Sequence, residues 1–176
     1  MDLVLNILLV LAGLFLVSTY LSWRAGRLDR LHARVDLARA GLDAALVRRA
    51  AVTLELAASR LLDPATSLVL ATAAHQARTA DAEAREFAES DLSRALRAAV
   101  EQPGFRRAME EGEAAALLEE LEAAAQKVAF ARRFYNDAVA TTRIARRRVL
   151  ARVLPLAGRA PLPEFFEIDD AAPEVL

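Results

Sequence analysis

The 176-residue chain carries 23 basic and 24 acidic residues, and every basic residue except Lys127 is an arginine. So close a balance supplies no net field to draw in nucleic acid or an acidic substrate. The absence of cysteine excludes disulfides, thiolate nucleophiles and cysteine metal sites, while six Gly and six Pro among abundant Ala and Leu point to an all-α protein.

Residues 3–23 are apolar apart from Asn6, Ser18 and Thr19 and carry no charge. At about 1.5 Å per residue this run crosses a hydrocarbon core of roughly 30 Å. Tyr20 and Trp23 stand at its end, where amphipathic rings favour the headgroup region. A cleaved signal peptide has a basic start, a shorter apolar run and a small-residue cleavage site, and none is present, so residues 1–23 are expected to be a retained transmembrane anchor. Arg24, Arg27, Arg30 and Arg34 follow the span and nothing basic precedes it. The positive-inside rule then predicts a single-pass cell-membrane protein with its amino terminus outside and its body cytoplasmic. The same arginines face anionic lipid, so the bilayer is itself an expected partner.

No proline interrupts the chain from Asp2 to Asp63, so the anchor is expected to continue into the first helix of a bundle spanning residues 24–153. Leu28, Leu31, Val35, Ala38, Leu42, Ala45, Val52 and Leu56 repeat at four-three spacing, the coiled-coil period, with Arg49 as the exception. Leu62-Asp63-Pro64 reads as a helix end followed by an N-cap Asp and a Pro at N1. A second helix runs from Pro64, and Thr79-Ala80-Asp81 forms a potential cap for a third that stops at Pro103-Gly104. With a break near Thr79 the bundle is an antiparallel, up-down four-helix bundle; without one it has three long helices. Charge favours four: Asp36 and Asp43 flank the first seam and Arg132 and Arg133 the last, and antiparallel packing brings these opposite charges to similar height.

The last helix is predicted from Phe105 to about Val153, with a seam of Leu117, Leu121, Ala124, Val128, Ala131, Tyr135, Ala138, Thr142, Ala145 and Val149. Its first half is acidic and its second half basic, in keeping with the helix macrodipole. Arg143, Arg146, Arg147, Arg148 and Arg152 offer a second basic surface for anionic lipid or an acidic partner. Tyr135 is expected to pack at the seam with its hydroxyl bonded, and Asn136 with Arg132 to bridge helices. Residues 154–176, with their Pro and Phe and an acidic end, form a tail that leaves the helix and is expected to lay its two Phe side chains on the bundle or the bilayer.

Chemistry is sparse in this pattern. His32 and His75 complete no ligand motif, and no metalloprotease helix, phosphate loop or nucleophile elbow is present. The glutamates at 110, 111, 113, 119, 120 and 122 read as a solvated face, so neither metal nor cofactor is expected. The arginines lack interleaved aromatic residues, which argues against nucleic acid.

Residues 129–139, AFARRFYNDAV, followed by a Pro-, Gly- and Phe-containing tail, resemble the LemA family of bacterial membrane proteins. Residues 31–43, LHARVDLARAGLD, with Arg48-Arg49 beyond them, are similar to that family's other strong block. The resemblance runs from the anchor to Glu167. It implies one amino-terminal span, an antiparallel four-helix bundle and no enzymatic activity. The chain departs from the family at Ala38, where a Trp is usual, near Leu54, where a Pro-Asn-Leu segment is missing, and at Thr141-Thr142, which replace a second Tyr-Asn. The function expected is that of a non-enzymatic adaptor or scaffold at the cytoplasmic membrane face, with a membrane or membrane-proximal protein partner or a second copy of itself. The alternative is an accessory or regulatory subunit of a membrane enzyme such as a protease.

Overall fold

The computed structural model describes residues 2–109, 112–147 and 161–171. Among them the protein is all-helical, with no strand and with four helices packed together. The elements are α1 (Asp2–Ala58), α2 (Pro64–Thr79), α3 (Arg85–Val100), the short α4 (Phe105–Ala108) and α5 (Gly112–Arg147). The chain divides into two compact units, one made of Met1–Leu37 with Asp137–Glu164 and the other of Ala38–Asn136 with Phe165–Leu176.

The first unit holds the apolar start of α1. One helix, α1, is long and apolar enough to cross a membrane, and the side chains at 3–20 are exposed. Further along, Leu28 and Val35 are buried, as are Ala138, Val139 and Thr142 of α5. The Thr142 hydroxyl donates back to the Ala138 carbonyl (2.8 Å), which lets a polar residue sit inside the seam with its proton satisfied. Arg34 meets Asp137 at 3.3 Å, an exposed pair of little energetic weight.

The second unit contains the main core. Val52 and Leu56 of α1, Leu70 and Ala74 of α2, Leu92 and Leu96 of α3 and Leu121 of α5 form one buried cluster, closed by Phe105 and Met109. Alanines at 50, 73, 77, 99 and 114 join it, and their small side chains let helix backbones approach closely. Most seam positions read from the four-three spacing are buried: Ala38, Leu42, Ala45, Val52 and Leu56 on α1, and Leu121, Ala124, Val128 and Tyr135 on α5. Leu117 and Ala131 are half-buried, and Leu46, Ala50 and Thr53 are buried beside the α1 seam.

The breaks between helices have local causes. The Asp63 carboxylate accepts from the amides of Ala65 and Thr66, both at 3.0 Å, and Pro64 opens α2 as the sequence predicts. The helix ends at Thr79, and Asp81 then accepts from the Ala84 amide (2.9 Å), organising the turn before α3. A single helix over residues 64–102 is therefore not formed. The last helix also differs from the expectation. It begins at Gly112 rather than at Phe105, because Gly112 takes a left-handed φ of 66°, which an α-helix cannot absorb. Burial of Phe105 and Met109 draws the preceding turn into the core. Its predicted end near Val153 lies outside the described residues.

Arg60, just past the end of α1, also adopts a left-handed φ, 63°, and is exposed. A side chain in that conformation costs about 1 kcal/mol, which glycine avoids. Arg60→Gly is expected to raise stability by about 0.5–1 kcal/mol, read as a higher thermal midpoint in detergent solution.

Candidate functional site

Two polar clusters stand out, both in the second unit. The first lies inside the core. Arg49, the exception in the α1 seam, is not turned outward; it is 3% exposed. Its guanidinium donates to the Glu89 carboxylate (2.7 Å), the Glu89 carbonyl (3.1 Å) and the Ser93 hydroxyl (2.9 Å). Ser93 donates in turn to the Glu89 carbonyl, and Thr53 to the Arg49 carbonyl. Burial pushes the Glu89 carboxyl above its ordinary value, against the pull of the Arg49 charge and hydrogen bond. Nearby, Arg85 meets Asp43 at 3.3 Å at the edge of the cluster. Sequence reading marked Arg49 only as a gap in a pattern. The signal available was an acid and a hydroxyl, Glu89 and Ser93, one helical turn apart on α3.

The second cluster is a clasp that holds the tail in a non-helical, strandless course. Asn136 makes a two-point bond with the backbone of Phe166: its amide donates to the carbonyl (3.1 Å) and its oxygen accepts from the N–H (2.9 Å). Arg132 grips Asp170 through Nε (2.8 Å) and Nη2 (3.0 Å), with Glu167 at 3.9 Å. From α3, Arg97 grips the Asp169 carboxylate in the same forked manner and also donates to the Ala171 carbonyl (3.0 Å). The Ser90 hydroxyl accepts from the Asp169 N–H (3.1 Å), and the Glu86 carboxylate from the Glu167 N–H (2.9 Å). Between these grips Ile168 is buried, while Phe165 keeps 42% of its surface exposed. The Arg97 hydrogen bonds hold the Asp169 carboxyl below the usual carboxylate range.

The expected sites are thus partly rearranged. Arg132 does not meet Asp43; its partners are tail acids, because Asp170 offers both oxygens to its planar fork. Asp43 turns to Arg85, and Asp36 and Arg133 are exposed. Asn136 reads the tail backbone rather than bridging helices with Arg132, and Tyr135 is buried at the seam. Of the arginines expected near the membrane, Arg27, Arg30 and Arg147 are exposed and Arg34 pairs with Asp137. In the first unit Arg143 and Arg146 donate to the carbonyls of Pro163 (3.1 Å) and Pro161 (2.8 Å). The Arg24 side chain and Arg148 lie outside the description, as do the glutamates at 110 and 111. The tail acids were missed as site residues because Asp169-Asp170 reads, in isolation, as a solvated charge pair.

The clasp is mostly polar. One buried isoleucine contributes about 1.5–3 kcal/mol and each hydrogen bond a net 0.5–1.5 kcal/mol. Asn136→Ala removes two of these bonds, and is expected to speed amide hydrogen exchange at Phe166 about tenfold while leaving exchange at Leu92 and Leu96 unchanged.

An open cleft of about 490 Å³ near the end of α1 is lined by Glu55, Ser59, Leu61, Leu117 and Glu120 among others. Its hydroxyl, Ser59, donates to the Leu56 carbonyl, and Glu120 pairs with Arg48. Among the described residues no group of three or more His, Cys, Asp or Glu is arranged to hold a metal ion. Comparison with known protein families, with curated proteins and with solved structures finds no match for this chain.

Proposed function

We propose that this protein is a non-enzymatic, membrane-anchored helical bundle that serves as an adaptor or scaffold on the cytoplasmic face of a cell membrane. The observation that carries the reading is the exposed apolar start of α1. Leu3, Val4, Leu5, Ile7, Leu8, Leu9, Val10, Leu11, Leu14, Phe15, Leu16 and Val17 are each more than half exposed. At about 1.5–3 kcal/mol each, leaving these twelve side chains in water forfeits roughly 20–35 kcal/mol, more than the whole net stability of a typical domain. A bilayer removes that cost. Arg27 and Arg30, exposed on the same helix beyond the span, favour the cytoplasmic side for the body.

The four helices are read as up-down-up-down, which the break after Thr79 and the pairing of Arg48 with Glu120 support. Similarity of residues 31–43 and 129–139 to the LemA family agrees with this architecture and with a non-enzymatic role. Crosslinking in intact membranes, followed by identification of the adducts, tests the reading. Adducts with membrane-associated proteins or with a second copy are expected; a chain that crosslinks to nothing contradicts it. A stoichiometric enzyme among the adducts favours the second reading, an accessory subunit acting through the basic end of α5.

A further inference from the structure

We propose that the surface formed by α3 and α5 around Arg97, Ser90, Arg132 and Asn136 is a recognition site for a non-helical acidic peptide, occupied by the chain's own tail until a partner's segment displaces it. The proposal extends the adaptor reading by giving the partner's chemistry.

The contacts are those of a peptide site rather than of a packed core. Backbone groups are read at Phe166, Glu167, Asp169 and Ala171, which fixes a non-helical segment whatever its side chains. Selection is left to two forked arginine–carboxylate pairs and one apolar seat, filled here by Ile168. The pattern demanded is therefore apolar-acid-acid in a non-helical course. The Arg97–Asp169 grip is partly open to solvent, its side chains 24% and 36% exposed, and the Arg132–Asp170 grip less so at 18% and 15%. The first is therefore the one that exchanges more readily with water or with an equivalent carboxylate.

Competition decides the occupant. A second copy's tail has the same chemistry but must bind from solution, whereas the resident segment belongs to the same chain and is held at a high effective concentration. It therefore loses to the resident segment. Only a partner with better chemistry wins, and the resident leaves room for one. Glu167 stands 3.9 Å from Arg132 with 70% of its side chain exposed, and Phe165 is only partly covered. A partner carrying an acidic, non-helical segment with larger apolar contact satisfies both.

The test uses the full-length chain in detergent micelles and a fluorescent peptide of residues 165–171, FFEIDDA. No membrane is required, so failure of the anchor and failure of this site are read separately. A tail-loosened chain, Asp169→Asn with Asp170→Asn, is expected to bind the peptide at least tenfold more tightly than wild type. Adding Arg97→Ala or Arg132→Ala to that chain is expected to lower binding at least tenfold, and a FFEINNA peptide is expected not to bind. Equal binding by wild-type and loosened chains, or indifference to the arginines, overturns the proposal. A second measurement covers a misfolded variant: a spin label at Ala171→Cys in the otherwise wild-type chain is expected to gain mobility as unlabelled FFEIDDA is added. A label that stays immobile at peptide concentrations well above the resident segment's effective concentration, about 10 mM and beyond, overturns displacement, and dimers formed by tail exchange overturn the choice of occupant.

Discussion

Replacing Glu89 with leucine is expected to destabilise the protein by about 3–5 kcal/mol, while Arg49→Met costs less and the double variant lies within about 1–2 kcal/mol of wild type. The asymmetry follows from the two acid–base chemistries. Arg49 is 3% exposed, and a guanidinium does not lose its proton in a protein. Without Glu89 its charge stays buried and uncompensated. Glu89 has an escape: stripped of Arg49 it takes up a proton and becomes neutral, at a cost set by how far the pH lies above its own value. Replacing both with apolar side chains removes both desolvation penalties. Chemical denaturation of the three variants in detergent reads the ranking; equal costs for the two single variants contradict the buried-pair description.

The pH dependence carries a definite sign. Burial raises Glu89 above its ordinary value even with Arg49 present, so the folded state holds that proton more tightly than the unfolded chain does. The contribution of this group to stability is therefore full below the unfolded value of 4.5 and declines as pH rises through the folded value. In Arg49→Met the opposing charge is gone and the decline extends to higher pH, so that variant is expected to be closer to wild type at pH 5 than at pH 8. Asp169 has the opposite sign. Its lowered carboxyl stabilises the clasp above the ordinary value of 3.8, and that contribution is lost as pH falls through the folded value.

A pair of arginines inside the apolar run, Val10→Arg with Leu14→Arg, is expected to abolish stable insertion. Each adds about 2.5–3.5 kcal/mol at the centre of a span, and two together offset the roughly 5 kcal/mol that about ten leucine-like residues supply. These side chains are more than half exposed, so the body is expected to keep its helical signal while the protein moves to the aqueous fraction. Loss of helicity in step with release indicates that the run is part of the folded body.

The seams of α1 and α5 were legible in the sequence because burial along a helix repeats at four-three spacing, and Asp63-Pro64 carries its own cap chemistry. What escaped is of another kind. Arg49 breaks the periodic pattern, and only its partners on α3, forty residues away, explain why a charge belongs there. Gly112 was one glycine in an otherwise helical run, and nothing local marked it as the one with a left-handed φ, at the start of α5. The tail acids needed long-range information as well. Asp169 lies 72 positions from Arg97 and Asp170 lies 38 from Arg132, and no local rule couples residues so far apart.

Membrane attachment with a cytoplasmic body is tested most directly by labelling single cysteines with a membrane-impermeant thiol reagent, which is clean because the chain has no cysteine of its own. Asp2→Cys is expected to react in intact cells stripped of their outer layers, Ala171→Cys only in inverted vesicles, and both proteins to stay with the membrane at alkaline pH. Reaction of both from one side, or release of the protein by alkali, contradicts the account.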